Sequence, residues 1–142
     1  MRIVVDTNLL VSGVIAAGLP RQLVDAARSG VFELCTSEVL LAELLGVLGR
    51  KKFATRLAQA GLTAQGLVDD LRALAVVVWP TDVPRVVPTD ADDDHVLAAA
   101  LAGAADLIAS GDKRDLLPLQ SYQGMPIVTA RQALVRLQLI DG

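Results

Sequence analysis

One cysteine, Cys35, and one histidine, His95, stand in the whole chain. A lone cysteine excludes an intrachain disulfide and a cysteine-built zinc cluster. A single histidine leaves a histidine-dependent hydrolase one candidate base. Cys35 lies in the strand-like Phe32-Glu33-Leu34-Cys35, where a buried structural thiol is a simpler reading than a nucleophile. Aromatic residues make up 3% of the chain and hydrophobic residues 53%, so the core must be built from Leu, Val, Ala and Ile. No apolar run approaches the roughly 20 residues that cross a bilayer, and Asp6 sets a charge where a signal-peptide core would have to form. An excess of positive charge is also missing. The formal net charge of −3 argues against binding nucleic acid by net charge, though a local basic patch can still act. Arg50-Lys51-Lys52 with Arg56 is the densest such patch, and it reads equally as a solvated helix end. The 142 residues suit one domain with one substantial core, expected to be soluble, cytoplasmic and without a membrane partner.

What is present alternates between short apolar runs and helical patterns. Strands are expected at Ile3 to Val5, Phe32 to Cys35, Val76 to Trp79, Leu107 to Ala109 and Ile127 to Val128. They are short and apolar, as strands covered on both faces are. Helical spacing marks 20–29, 37–49, 51–60, 64–74, 92–104 and 130–138, and a short helix is expected after Asp6. Pro20 suits a first helical turn, and Ser29-Gly30 a helix end. Thr36 or Ser37, Thr63 and Thr129 suit N-caps. Trp79 to Pro88 holds three prolines and must be a loop. The order predicts an α/β fold with a central, mostly parallel sheet.

Four carboxylates stand where isolated charges make little structural sense. Asp6 closes the first strand, and Asp112 follows the fourth. Glu43 interrupts the leucine-rich stretch from Val39 to Leu48, one turn from Val39, Leu40 and Val47. Asp94 precedes Leu97 and Ala98 by one turn. Acids at the margin of a core are costly unless paired or bound to a cation. In a doubly wound sheet, ligands bind outside the carboxyl ends of the strands near the switch in strand order. If the first and fourth strands are neighbours, Asp6 and Asp112 share that edge.

Several nearby residues have both bland and functional readings. Asp90, Asp92, Asp93 and Asp94 suit a helix start, yet four acids in five residues repel one another without a cation. Asp93, one turn before Val96 and Leu97, is the alternative to Asp94. Asp112 and Asp115 read as a cap and a first-turn acid, or as a ligand and its supporting acid. Ser110 could hydrogen-bond a ligand carboxylate, and Thr7 and Asn8 could orient the Asp6 turn. His95 points about 100° away from Asp94 on an ideal helix and reads as a surface or packing residue. Glu38 sits in a first helical turn and needs no function. An all-oxygen donor set suits Mg²⁺ or Mn²⁺ better than zinc. Such an ion acidifies a bound water that can attack phosphorus.

The segments Val5-Asp6-Thr7-Asn8, Ser37-Glu38-Val39-Leu40-Leu41-Ala42-Glu43, Asp92-Asp93-Asp94-His95-Val96-Leu97-Ala98 and Ser110-Gly111-Asp112-Lys113 occur in this order. Together they resemble a PIN-domain protein, and look most like the VapC-type toxins of toxin–antitoxin pairs. The resemblance covers essentially the whole chain. It implies a three-layer α/β/α sandwich and Mg²⁺- or Mn²⁺-dependent cleavage of single-stranded RNA. It also implies a homodimer and a cognate antitoxin partner. The acidic-site roles carry over to Asp6, Glu43, Asp94 and Asp112, with Thr7, Asn8, Asp93, Ser110 and Asp115 in support. One departure is Ser110, near a position where family members often have Thr. Two other readings are a catalytically silent binding module on the same fold, and a phosphoryl-transfer protein using Asp6. Asp6-Thr7-Asn8 lacks a second acid two residues on, which weakens the latter.

Overall fold

Alternation along the first strand sets the layers. In the computed structural model, β1 (Arg2–Val5) sends Ile3 and Val5 into one core and Val4 into the other. The described residues are 1–83, 85 and 91–142, without the side chains of Ala91 and Asp92. Asp90, the side chain of Asp92 and the end of the proline-rich loop therefore lie outside the described residues. The other strands are β2 (Glu33–Ser37), β3 (Val76–Val78), β4 (Leu107–Ala109), β5 (Ser121–Tyr122) and β6 (Met125–Val128), and the sheet order is β3-β2-β1-β4-β6-β5. Every pairing is parallel except that of β5 with β6.

Seven helices are described: α1 (Thr7–Ile15), α2 (Leu19–Arg28), α3 (Glu38–Leu48), α4 (Lys51–Gln59), α5 (Ala64–Leu74), α6 (Ala91–Ala102) and α7 (Ala130–Arg136). Leu9, Leu10, Leu23, Leu44, Leu71 and Leu134 of α1, α2, α3, α5 and α7 pack on the face bearing Ile3 and Val5. Val96, Leu97, Ala99 and Ala100 of α6 cover the opposite face, over Val4, Cys35 and Ile108. The result is the expected three-layer sandwich, with one face covered chiefly by a single helix. Gly103, just past α6, lets that helix lie close. A Cβ there would stand 2.5 Å from Cys35 Sγ. No single helix among the described residues is long and apolar enough to cross a membrane.

The expected caps are in place. Ser37 Oγ accepts from Leu40 N–H at 3.3 Å and Thr63 Oγ1 from Gly66 N–H at 3.0 Å. Thr129 and Gln132 cap each other's backbone N–H groups at the start of α7. Some boundaries differ from expectation. β2 begins at Glu33 and runs on to Ser37, which closes the strand and caps α3. β3 stops at Val78, leaving Trp79 74% exposed. The β5–β6 hairpin was not expected. Its two-residue turn, Gln123-Gly124, has positive φ at both positions (51° and 81°), the geometry for which Asn-Gly is the usual signal. Gln in the first position hides it.

Candidate metal centre

The chain runs β1, β2, β3 toward one edge of the sheet and then returns to place β4 on the other side of β1. The switch in strand order thus falls between β1 and β4, whose last residues, Val5 and Ala109, are paired. The next residues, Asp6 and Ser110, emerge side by side at the carboxyl edge. Side chains alternate along a strand, so residues that follow Val5 and Ala109 face the same side as Val4 and Ile108. That is the side covered by α6. Its first turn brings Asp93 and Asp94 to this edge.

Asp6 is 4% exposed, and Ser110 is fully buried. Asp6 Oδ1 accepts from Leu9 N–H at 2.9 Å, which makes Asp6 the N-cap of α1. Its Oδ2 accepts from the Ser110 hydroxyl and from Gly111 N–H at 3.3 Å. Ser110 Oγ in turn accepts from Asp112 N–H at 2.9 Å. One hydroxyl therefore ties the end of β1 to the loop after β4. Burial raises the Asp6 pKa above its ordinary 3.8. Hydrogen bonds from Ser110, Leu9 and Gly111 oppose the shift, and the nearby Asp112 charge adds to it. Among the described residues Asp6 has no ion pair.

Asp112 behaves in the opposite way. It shapes its own loop, with Oδ1 accepting from Arg114 N–H at 2.9 Å and Asp115 N–H at 3.1 Å. A turn and the short 3-10 helix Leu117–Leu119 follow, so the carboxylate caps a turn and no α-helix. Desolvation works against its charge. The Asp115 N–H, a hydrogen bond with the Asp93 carboxyl, and the Arg114 and Leu116 N–H groups outweigh it and lower its pKa.

Asp93, Asp112 and Asp115 each offer an oxygen, and these atoms lie within 4.8 Å of one another. Such a group can hold one hard cation. Asp93 is buried, while Asp112 and Asp115 are half-buried, so the centre is reachable from solvent. Asp94 is also buried, with Leu97 and Ala98 beneath it, but Leu101 is exposed. Glu43 is half-buried. Its neighbour Val39 is 48% exposed, and the buried ridge of α3 is Leu40, Leu41, Leu44 and Leu48. It therefore stands at the margin of the buried face and not within it. α3 packs against α1 and α6. Asp6, Glu43 and Asp94 lie outside the three-acid group, although Asp6 is joined to it through Ser110. Thr7 is buried, Asn8 exposed and His95 half-buried.

The contribution of Gly111 was not legible in the sequence. Its N–H points at Asp6 because the loop after β4 turns over the end of β1, and only the strand order reveals that turn. A family model for the PIN domain matches residues 2–114, from β1 through the Asp112 turn. No curated protein matches the chain.

Proposed function

This chain belongs to the PIN domain family, and we propose that it is an endoribonuclease that cuts single-stranded RNA with Mg²⁺ or Mn²⁺. PIN domains are in general Mg²⁺-dependent nucleases. The observation that carries the proposal is the meeting of Asp93, Asp112 and Asp115 within 4.8 Å, beside buried Asp6, at the switch in strand order. Asp93 and Asp112 would hold the ion, with Asp115 as a third ligand or in support. When bound, the ion supplies an activated water and charge for the leaving oxygen. Asp6, fixed on both oxygens, orients the Asp112 loop through Ser110 and adds negative charge facing the centre. Glu43 and Asp94 are assigned to the same centre on the family resemblance, supported by the packing of α3 on α6 and the burial of Asp94 beside Asp93.

Resemblance to VapC-type proteins supports the finer reading: a cytoplasmic toxin, working as a homodimer and held in check by an antitoxin. A small neighbouring reading frame whose product binds this protein and stops its activity would test that reading. The activity is tested with purified protein on a single-stranded RNA, in Mn²⁺, in Mg²⁺ and in chelator. Cleavage should need the ion, and Asp6→Ala, Asp94→Ala and Asp112→Ala should each lower it by about 10- to 100-fold or more with the helical signal retained. Failure of the wild type with either ion would refute the nuclease reading. Wild-type rates in the variants would refute the site.

A further inference from the structure

An open groove of about 700 Å³ runs between β6 and α7. Its floor is apolar, formed by Leu117, Pro126, Ile127 and Val135, and its rim carries Arg131 and Arg136. Both arginines are exposed, and neither forms an ion pair among the described residues. Val128, which lines the groove, is hydrogen-bonded to the loop after β4. Ser110 N–H donates to Val128 O at 2.9 Å, and Arg131 stands three residues after Val128. Neighbouring strands lie about 4.8 Å apart, so Val128 in the groove wall is one strand away from Ser110.

We infer that this groove is a substrate subsite, which holds the RNA strand to one side of the bond being cut. The inference rests on the nuclease reading. Arginine forks pair with phosphate oxygens, and an apolar floor takes the face of a base. A protein of net charge −3 with an acidic centre repels a polyanion, so unpaired cations on the groove rim have a clear use. The basic Arg50-Lys51-Lys52 patch is placed less well. It follows α3, whose 11 residues carry the chain about 16 Å from the carboxyl edge.

The test compares wild type, Arg131→Glu/Arg136→Glu and Lys51→Glu/Lys52→Glu. Readouts are cleavage of a 12-nucleotide RNA and of a dinucleotide in Mn²⁺, and binding of a labelled 12-mer in metal-free buffer at several salt concentrations. All four positions are exposed, and matching melting temperatures would verify the folds. On the 12-mer, the arginine variant should raise KM at least about tenfold with kcat within about twofold. Its salt slope should fall by about 1.4, at about 0.7 per phosphate for a single strand. On the dinucleotide it should match the wild type, and the lysine variant should match it throughout. If the wild type cuts RNA but the arginine variant keeps its KM and salt slope, the groove assignment is overturned while the nuclease reading stands. The assignment is overturned equally if the arginine change alters only self-association, since the groove would then seat a second copy. If the wild type cuts nothing, the nuclease reading fails. The salt slope then decides the groove alone: a loss in the arginine variant supports it, and an unchanged slope or no binding overturns it.

Discussion

A single hydroxyl links two acids of the centre. Ser110 Oγ donates to Asp6 and accepts from Asp112 N–H, so it lowers the pKa of one acid while holding the backbone of the other. Asp6, with its pKa raised from 3.8, keeps its proton in the folded state over a range where the unfolded chain has released it. Its contribution to stability is complete below 3.8 and is lost as pH rises through its folded pKa. Asp112, with its pKa lowered, contributes above 3.8 and loses that contribution as pH falls through its own folded value. Ser110→Ala removes a group that opposes the Asp6 shift and leaves the half-buried Asp112 N–H without its acceptor. It should cost about 1–3 kcal/mol at neutral pH and extend the Asp6 range upward, so that stability declines further as pH rises. Urea unfolding of the metal-free protein across pH measures both effects. An equal loss at every pH would mean that the hydroxyl only fills space.

At the scale of elements, α6 decides whether Asp93 reaches Asp112, and its seat on the sheet depends on Gly103. A Cβ at that position meets Cys35 Sγ at 2.5 Å and Ala99 O at 3.2 Å. Gly103→Ala should therefore destabilise the protein by about 1–3 kcal/mol, and Cys35→Ala in the same chain should restore part of it. A double-mutant cycle by urea unfolding reads this coupling, and additive losses would refute the contact. Burial holds the Cys35 thiol up at about 11, in keeping with a packing role. The sequence revealed the elements well because caps and periodicity act locally. Thr63, Thr129 and the helical spacing over 64–74 needed nothing distant to be read. It revealed β5 poorly because Gln123 is an unusual turn residue. It left Asp93 and Asp94 open because residues one apart share much of a helix's first turn, and only the position of Asp112 distinguishes them. Glu38 shows the same limit. Its place in a first turn explains it in part, but Arg72 of α5 also grips it with two hydrogen bonds of 3.0 Å, a pairing that spacing along the chain could not show.

For the whole molecule, strand order converts scattered acids into one centre and ties its charge to folding. Three carboxylate oxygens within 4.8 Å of one another bring like charges together. A divalent ion held there would relieve that repulsion, and it would bind the folded chain alone because only the fold gathers the ligands. Mn²⁺ at about 100 times its Kd should add about 2.7 kcal/mol, a rise in Tm of about 5–10 °C for a chain of this size. The ion competes with a proton, so the rise should grow with pH, and calorimetry in buffers of different ionisation heat should show proton release. Asp93→Asn separates this account from a general effect of charge. Its carboxamide removes one negative charge from the group and offers Asp112 an N–H donor. The metal-free variant should melt about 2–4 °C higher, equivalent to about 1 kcal/mol, and should lose most of its response to Mn²⁺. A full Mn²⁺ response in this variant would move the ion away from Asp93 and toward Asp94. That outcome would change the ligand while leaving the centre at the same edge of the sheet, because the pairing of β1 with β4 places Asp6 and Asp112 there in either case.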